Sequence, residues 1–125
     1  MSKTVIVILS DPKSGSEEAL GRLFNALILG SELKQRKEKF EIIFQGTGTR
    51  WPSELENANH PAHPLYKDLE ENIKGVCGGC AEVFGAKDSI KDTKLMLMQE
   101  VALPGTSGVT DLAQYIVNGD RFLTF

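Results

Sequence analysis

The sequence has neither a long hydrophobic run nor a strong excess of charge of either sign. Its 125 residues contain 14 Lys and Arg against 17 Asp and Glu, which gives a net charge of -3. A nearly balanced chain argues against nucleic acid or an anionic membrane surface as the main partner. Residues 1–10 hold one Lys and a short apolar run (TVIVIL), too short for a signal-peptide core or a membrane span. We therefore expect a cytoplasmic protein that binds neither nucleic acid nor membrane.

The motifs of several common enzyme classes are also missing. The sequence contains no GxGxxG, no Walker-type lysine motif and no GxSxG, so nucleotide hydrolysis and serine-nucleophile chemistry lack support. Two cysteines are too few for the disulfide framework of a small secreted fold. A content of 41% hydrophobic residues is enough for a core without metals or disulfides. We expect a folded domain that binds no cofactor.

The hydrophobic pattern predicts a single α/β domain over residues 1–125. Two apolar runs, Thr4–Leu9 and Phe40–Phe44, are typical of strands covered on both faces of a parallel sheet. The helical pattern between them runs to about Lys37 and completes a right-handed strand-helix-strand unit. Three further strands are predicted, at 75–77, within 95–103 and at 121–125. The expected fold is a mainly parallel five-stranded sheet covered by helices.

The other helices have weaker signals. Ser14, three residues before Glu17, predicts a capping box at the start of the first helix. Residues 45–64 have no periodicity and contain three prolines, which predicts an irregular loop with a functional or partner-binding role. Short helices are predicted at 65–73, at 80–84 and at 109–117, the last with Leu112, Ala113 and Ile116 facing inward.

The two cysteines lie together in Cys77-Gly78-Gly79-Cys80, at a predicted strand end and helix start. Free amides and the positive end of the helix dipole favour a thiolate in such a turn. The two glycines let the turn close tightly and let amides point at an anion, a persulfide or a substrate oxygen. In the cytoplasm, paired cysteines are more often redox, sulfur-handling or metal-binding than structural. The alternative interpretation is a pair of small buried packing residues.

Three chemistries compete for this pair. In thioredoxin-like exchange one thiol attacks and the other resolves, but Val76 stands where that family usually has an aromatic residue. A zinc or small-ligand site would add His60 and His63 to Cys77 and Cys80, because two sulfurs and two nitrogens satisfy tetrahedral zinc. Each histidine precedes a proline, which disfavours helix and makes turn or helix-entry roles the alternative. In sulfur carriage, Cys77 accepts a sulfane sulfur as a persulfide and Cys80 releases it by forming a disulfide.

Further candidates follow the first two strands at the same carboxyl edge of the sheet. Gly48, Arg50 and Trp51 follow the second strand, and Asp11 follows the first. Arg50 near Cys77 would stabilise a thiolate, a persulfide or an anionic ligand, and Trp51 would shield the pocket from water. The alternatives are a surface ion pair for Arg50, an interface aromatic for Trp51 and a turn former for Asp11.

Five segments along the chain carry a family resemblance: VIVILSD, EALGRLFNAL, FQGTGTRW, HPAHPLY and GVCGGCAEVFGA. In these segments the sequence resembles the DsrE/DsrF-like sulfur-relay superfamily, in a branch with CxxC-containing members. The resemblance implies a three-layer, flavodoxin-like α/β/α domain that forms homotrimers or hexamers and passes sulfur between donor and acceptor proteins. It also implies that the sulfur is carried on Cys77, near the end of the third strand. Cys80 departs from the pattern, because the relay members mostly have a small apolar residue there.

The leading hypothesis from the sequence is a cytoplasmic homo-oligomer that acts as a sulfur carrier or sulfurtransferase. Cys77 would carry the sulfur, Cys80 would be the resolving thiol and Arg50 would stabilise the anion. The second hypothesis is a zinc or small-ligand module that uses Cys77, Cys80, His60 and His63. The third is a structural oligomer without activity, whose cysteines are packing residues.

Overall fold

The computed structural model describes residues 2–125 and contains a five-stranded sheet with all strands parallel. The strands are β1 (Thr4–Ile8), β2 (Phe40–Phe44), β3 (Ile73–Cys77), β4 (Leu97–Met98) and β5 (Arg121–Thr124), and their order is β4-β3-β2-β1-β5. The helices are α1 (Glu17–Gln35), α2 (Trp51–Leu55), α3 (His63–Asp68), α4 (Gly78–Val83), α5 (Lys87–Ile90) and α6 (Ala113–Val117). The predicted three-layer α/β/α fold is confirmed. Within residues 2–125, no helix is long and apolar enough to cross a membrane.

The strand order explains which face of the sheet each helix covers. From β1 to β4 the chain moves in one direction across the sheet, and from β4 to β5 it returns past β1. Because crossovers between parallel strands are right-handed, this reversal puts α1 to α5 on one face and α6 on the other. The packing agrees: α1 to α5 pack with Ile6 and Ile8 on what we call the first face. Tyr115 of α6 packs with Val5 and Val7 on the second face.

Strand β1 lies at the centre of the fold, as its continuous apolar run predicts. It pairs with β2 on one side and β5 on the other, and all five of its residues are buried. Each fully buried Ile or Val side chain contributes about 1.5–3 kcal/mol relative to an exposed one. The edge strand β5 is mostly exposed, so β1 and β2 hold the sheet against both layers.

Helix α1 does not begin with the predicted capping box of Ser14–Glu17. Ser16 is the N-cap, and its Oγ accepts hydrogen bonds from two amides of the first turn at 3.0 and 3.4 Å. Gly15 has a left-handed φ of 70°, so the chain turns there and the helix begins beyond it. The helix ends at Gln35, before the predicted end, and Lys37 has a left-handed φ of 59°.

The segment 45–64, predicted to be irregular, is largely helical. A short 3-10 helix at Gly46–Arg50 leads directly into α2, and α3 begins at His63. These helices are too short for a periodic hydrophobic pattern to show in the sequence. Helix α3 ends earlier than predicted, because Ile73 belongs to β3 and not to the helix.

The region after α5 differs most from the sequence prediction. Strand β4 has only two residues, and α6 starts at Ala113, four residues later than predicted. Ile116, predicted to face inward, is 59% exposed, whereas Tyr115 is 1% exposed. Residues 99–110 instead form a hairpin closed by an antiparallel bridge between Val101 and Val109. This 99–110 hairpin packs against the start of α4 and covers the second face beside the cysteines.

Candidate functional site

The two cysteines lie where β3 meets α4, at the carboxyl edge of the sheet. Cys77 is the last residue of β3 and pairs in register with Met98. Because side chains alternate along a strand, Val76 points to the first face and Cys77 to the second. Cys77 is 0% exposed, while Cys80, in the first turn of α4, is partly exposed. The pair thus joins one fully buried cysteine to one partly exposed cysteine.

Hydrogen-bond donors surround the sulfur of Cys77. The strongest influence is the Cys80 thiol, which donates to it, and the amides of Thr110 and Cys80 and the Thr110 hydroxyl add further bonds. Burial alone raises a thiol pKa, but these donors outweigh it and hold the pKa of Cys77 well below its ordinary value. Cys77 is therefore the thiolate of the pair.

The environment acts on Cys80 in the opposite direction. Its hydrogen bond to Cys77, then burial and the charge of the Cys77 thiolate raise the pKa of Cys80 far above its ordinary value, although the Gly46 amide opposes them. The Nε2 of Gln45 donates to Cys80 Sγ at 3.5 Å. The Oε1 of the same side chain is buried and has no hydrogen-bond partner among residues 2–125. The hydrogen bond between the sulfurs therefore favours the thiolate on Cys77 and the proton on Cys80.

The two glycines between the cysteines are required by the 99–110 hairpin. A Cβ at Gly78 would lie 2.8 Å from Gln99 Cγ, and one at Gly79 would lie 2.6 Å from Val109 Cγ1. The amide of Gly79 donates to the carbonyl of Gly108 at 2.8 Å. That amide is therefore not available to a bound anion, contrary to the sequence prediction, and both glycines serve close packing.

Polar contacts fasten the 99–110 hairpin to α4. The Ser107 amide donates to the Glu82 carboxylate at 3.0 Å, and the Ser107 hydroxyl donates to the same carboxylate oxygen. The Gln99 side-chain amide donates to Ser107 Oγ at 2.6 Å. The bonds from Ser107 lower the pKa of Glu82, so the carboxylate stays charged and the hairpin stays over Cys77.

Arg50 and Asp11 bind each other, as the alternative interpretation of Arg50 predicted. The Arg50 guanidinium donates from Nη1 to Asp11 Oδ2 at 3.0 Å and from Nε to the Phe84 carbonyl at 3.1 Å. Partial burial would raise the pKa of Asp11, but the Lys13 amide and Arg50 outweigh it and lower that pKa. None of these hydrogen bonds reaches a cysteine, so Arg50 links the β1 loop to the end of α4.

Trp51 is a core residue that is hydrogen-bonded to Ser10. It is 2% exposed, and its Nε1 donates to the Ser10 carbonyl at 2.8 Å and to Ser10 Oγ at 3.2 Å. Gly48, another predicted binding residue, lies against β1, where a Cβ would be 2.0 Å from the Ile8 carbonyl oxygen. Its amide donates to the Gln45 carbonyl at 2.9 Å. Both residues hold the β2–α2 segment against the sheet.

The structure does not bring the four proposed zinc ligands together. Within residues 2–125 there is no group of three or more His, Cys, Asp or Glu side chains able to hold a metal ion. The Nδ1 of His60 accepts from the Ala62 amide at 3.0 Å, and the Nδ1 of His63 donates to the Leu55 carbonyl at 2.6 Å. The histidines therefore have the turn and helix-entry roles that their following prolines suggested, and the zinc hypothesis loses its ligand set.

Comparison with known proteins is decisive for the family. The sequence profile described as the DsrE/DsrF-like family matches residues 3–125. This chain belongs to that family. It is also 28% identical, over 101 residues, to an uncharacterised protein of Methanocaldococcus jannaschii, a match that covers 81% of this chain and 78% of the relative. No solved structure gives a significant match.

Two residues at this DsrE/DsrF-like site escaped the sequence prediction. Gln45 directly follows β2, so its place at the carboxyl edge was visible, but a lone glutamine carries no recognised motif. Thr110 was assigned to a helix, which hid its position beside Cys77. Among the predicted residues, the structure brings Cys77 and Cys80 together with Gly78 and Gly79, and holds Asp11 and Arg50 in a separate ion pair.

Proposed function

We propose that this DsrE/DsrF-like protein carries sulfane sulfur as a persulfide on the Cys77–Cys80 pair. The observation that carries the proposal is the contact between the two thiols at the carboxyl end of β3, in which Cys80 donates to Cys77 and favours its thiolate. A sulfur carrier needs a nucleophilic sulfur near neutral pH and a second thiol that can end the persulfide state. Membership of the family supports sulfur relay in general.

The carriage reaction balances without a cofactor. A thiolate of the pair attacks the terminal sulfur of a donor persulfide, the donor's S–S bond breaks, and the donor leaves as a thiolate. The protein then holds the sulfur as a persulfide. A thiolate on an acceptor attacks that terminal sulfur in turn and restores the protein's free cysteine. Donor and acceptor are proteins or small molecules that bear reactive thiols, and the cytoplasm keeps such thiols reduced.

A second candidate function is dithiol–disulfide exchange by the same pair. The hydrogen bond between the two sulfurs supports it, because the sulfurs are already in contact. In this reaction the pair loses two electrons to a substrate disulfide and forms the Cys77–Cys80 disulfide. The two functions differ in one product: carriage adds a sulfur atom to the protein, while exchange only removes two hydrogens.

The assembly predicted from the sequence, a homotrimer or hexamer, is part of this proposal. The exposed apolar side chains of α6, Ile116 at 59% and Val117 at 83%, support a contact between subunits on the second face. Multi-angle light scattering of the purified protein measures the assembly directly. A monomer at all concentrations would contradict this part of the proposal and leave sulfur carriage untouched.

Mass spectrometry of the intact protein tests carriage. The reduced protein is incubated with glutathione persulfide, freed of excess donor and weighed. We expect a gain of one sulfur atom that is reversed by dithiothreitol and absent from the double variant Cys77→Ser with Cys80→Ser. Loss of two hydrogens by the wild type, with no sulfur gain by either single Cys→Ser variant, would favour dithiol exchange. An unchanged mass with several persulfide donors would overturn both functions.

A further inference from the structure

We propose that sulfur enters the site at Cys80 and that Cys77 is the resolving cysteine, the reverse of the order expected from the sequence. This inference rests on the proposed function, in which the pair carries sulfane sulfur. It assigns a different task to each cysteine and follows from access, from contacts around the two sulfurs and from the hydrogen bond between them.

Access separates the two sulfurs. A donor persulfide must bring its terminal sulfur to within contact distance of the attacking sulfur and in line with the bond that breaks. Cys77 is 0% exposed, and it lies beneath the 99–110 hairpin, beside Thr110 and Met98. The packing beside it is so close that a single methyl group at Gly79 would come within 2.6 Å of Val109. A donor cannot reach Cys77 while the hairpin is in place.

Cys80 lies on the open side of the same turn. It is partly exposed, and Val83, three residues further along α4 and so on the same side of the helix, is 68% exposed. A donor that approaches this side meets Cys80 first. The 99–110 hairpin therefore determines which thiol reacts with a donor, because it covers Cys77 and leaves Cys80 uncovered.

The second observation is the Gln45 side chain. Its Nε2 donates to Cys80 Sγ, while its buried Oε1 has no partner among residues 2–125. A buried polar atom without a partner costs about 1–3 kcal/mol, so its presence needs a reason. A persulfide on Cys80 that keeps its terminal proton supplies one, because its S–H donates to Oε1. Gln45 is then a positioning residue for sulfur held on Cys80.

Cys77 supplies the base for the entry step. As Cys80 attacks the terminal sulfur of the donor, its proton moves along the existing hydrogen bond to Cys77. The new S–S bond forms on Cys80, the donor's S–S bond breaks, and the donor leaves as a thiolate. The product is a Cys80 persulfide beside a protonated Cys77.

The same pair completes the release step when no acceptor removes the sulfur. Cys77 attacks the inner sulfur of the Cys80 persulfide, the Cys77–Cys80 disulfide forms, and the terminal sulfur departs with the Cys77 proton as hydrogen sulfide. The two cysteine sulfurs are oxidised and the sulfane sulfur is reduced by two electrons. A dithiol reductant such as a reduced thioredoxin-like protein then returns the pair to its starting state.

Peptide mapping of single variants tests the order. Wild type, Cys77→Ser and Cys80→Ser are treated with glutathione persulfide, alkylated and cleaved with trypsin. Both cysteines lie in the peptide between Lys74 and Lys87, so its fragmentation locates the added sulfur. We expect Cys77→Ser to hold the sulfur on Cys80 and to keep it longer than wild type, since the resolving sulfur is gone. Cys80→Ser should gain about tenfold less sulfur than wild type.

The outcomes separate this inference from the proposed function. Equal or greater loading of Cys80→Ser, with the sulfur on Cys77, would overturn the order of entry and leave carriage intact. Failure of the wild type and of both single variants to gain sulfur would overturn carriage and the order together. Circular dichroism and thermal melting confirm that each variant is folded.

A labelling experiment tests access without persulfide chemistry. Folded, reduced wild type is treated with a limited amount of a bulky maleimide, and the modified residue is located in the same peptide. We expect Cys80 to be labelled about tenfold faster than Cys77, although Cys77 is the better nucleophile, because burial blocks it. Faster labelling of Cys77 would contradict the inference whatever the result with persulfide.

Discussion

The two faces of the sheet are covered to very different extents. The first face is covered by five helices and holds most of the buried apolar side chains. Among residues 2–125, the second face is covered by α6, a five-residue helix, and by the 99–110 hairpin. Cys77 points to this thin layer. The comparison indicates that the two layers have different roles. The layer on the first face supplies most of the stability, and the layer on the second face surrounds the sulfur of Cys77.

The largest expected effect comes from two neighbouring residues of β2 that face opposite sides. Ile42 packs on the first face and Ile43 on the second, and both are 0% exposed. Both substitutions remove the same atoms. The losses in the free energy of unfolding therefore differ only by how far the layer on each face of the sheet relaxes into the cavity. We expect Ile42→Ala to lower the free energy of unfolding by about 4 kcal/mol and Ile43→Ala by about 2 kcal/mol. Urea denaturation measures both, and equal losses would contradict the proposed division of stability.

The second effect concerns the packing of the 99–110 hairpin over Cys77. Gly79→Ala places a methyl group 2.6 Å from Val109 Cγ1, which forces the 99–110 hairpin away and costs about 1–3 kcal/mol. Cys77 should then react with maleimide as fast as Cys80 does. The control is Gly21→Ala in α1, where an added Cβ meets nothing within 4 Å. That variant should be stabilised by up to about 1 kcal/mol and keep Cys77 protected.

A third effect, of intermediate size, concerns the titration of Cys77. Because its pKa is lowered by donors, first of all Cys80, its thiolate contributes stability above the unfolded thiol pKa of about 8.5. That contribution is lost as the pH falls through the lower folded pKa. The Cys80→Ala variant removes the donor and should raise the pH at which Cys77 loses its proton, followed by thiolate ultraviolet absorbance. Cys80→Ser keeps a hydroxyl donor and should shift less.

The groups around this titration are few, which makes it interpretable. The sulfurs face Gln45 and Gly46 from the β2 side and Thr110 from the hairpin, all of them uncharged. Charged side chains on the packed elements are bound elsewhere: Glu82 to Ser107, Glu100 to the Asp111 amide and Arg50 to Asp11. If the titration of Cys77 is unchanged in Cys80→Ala, the hydrogen bond between the sulfurs does not lower the pKa of Cys77.

The smallest effect is expected at the ion pair outside both layers. Arg50→Ala removes the contacts to Asp11 and to the Phe84 carbonyl, and these partly exposed bonds contribute about 1 kcal/mol. The stability loss should appear in denaturation, while the rate of persulfide loading stays that of wild type. A matched Asp11→Asn variant keeps the side-chain volume and isolates the charge. A severalfold fall in loading with Arg50→Ala would restore the anion-stabilising role predicted from the sequence.

The sequence was sufficient for the parts of the fold that rest on continuous apolar runs. The runs in β1 and β2 predicted buried parallel strands, and the parallel α/β/α fold followed from them. Short elements escaped because one or two turns of helix leave no measurable periodicity. This applies to α2, placed in a loop, and to the 99–110 hairpin, placed partly in a strand and partly in a helix.

The candidate site was predicted in position but not in its inner arrangement. The CxxC spacing placed both thiols at a strand end and a helix start, as observed. Which sulfur is buried depends on the alternation of β3 and on the 99–110 hairpin, whose course no local pattern records. The roles of Arg50 and Trp51 likewise depend on partners far along the chain, Asp11 and Ser10.

The reversal of direction between β4 and β5 also has a consequence for the order of synthesis. Cys77 leaves the ribosome long before Thr110, whose amide and hydroxyl help to make it a thiolate. Until the last quarter of the chain has crossed back over the sheet and β5 has paired with β1, this cysteine lacks the Thr110 donors and its cover. The protected form of the pair is therefore a property of the finished molecule, and a chain truncated before Thr110 would leave Cys77 uncovered, with Cys80 as its main donor.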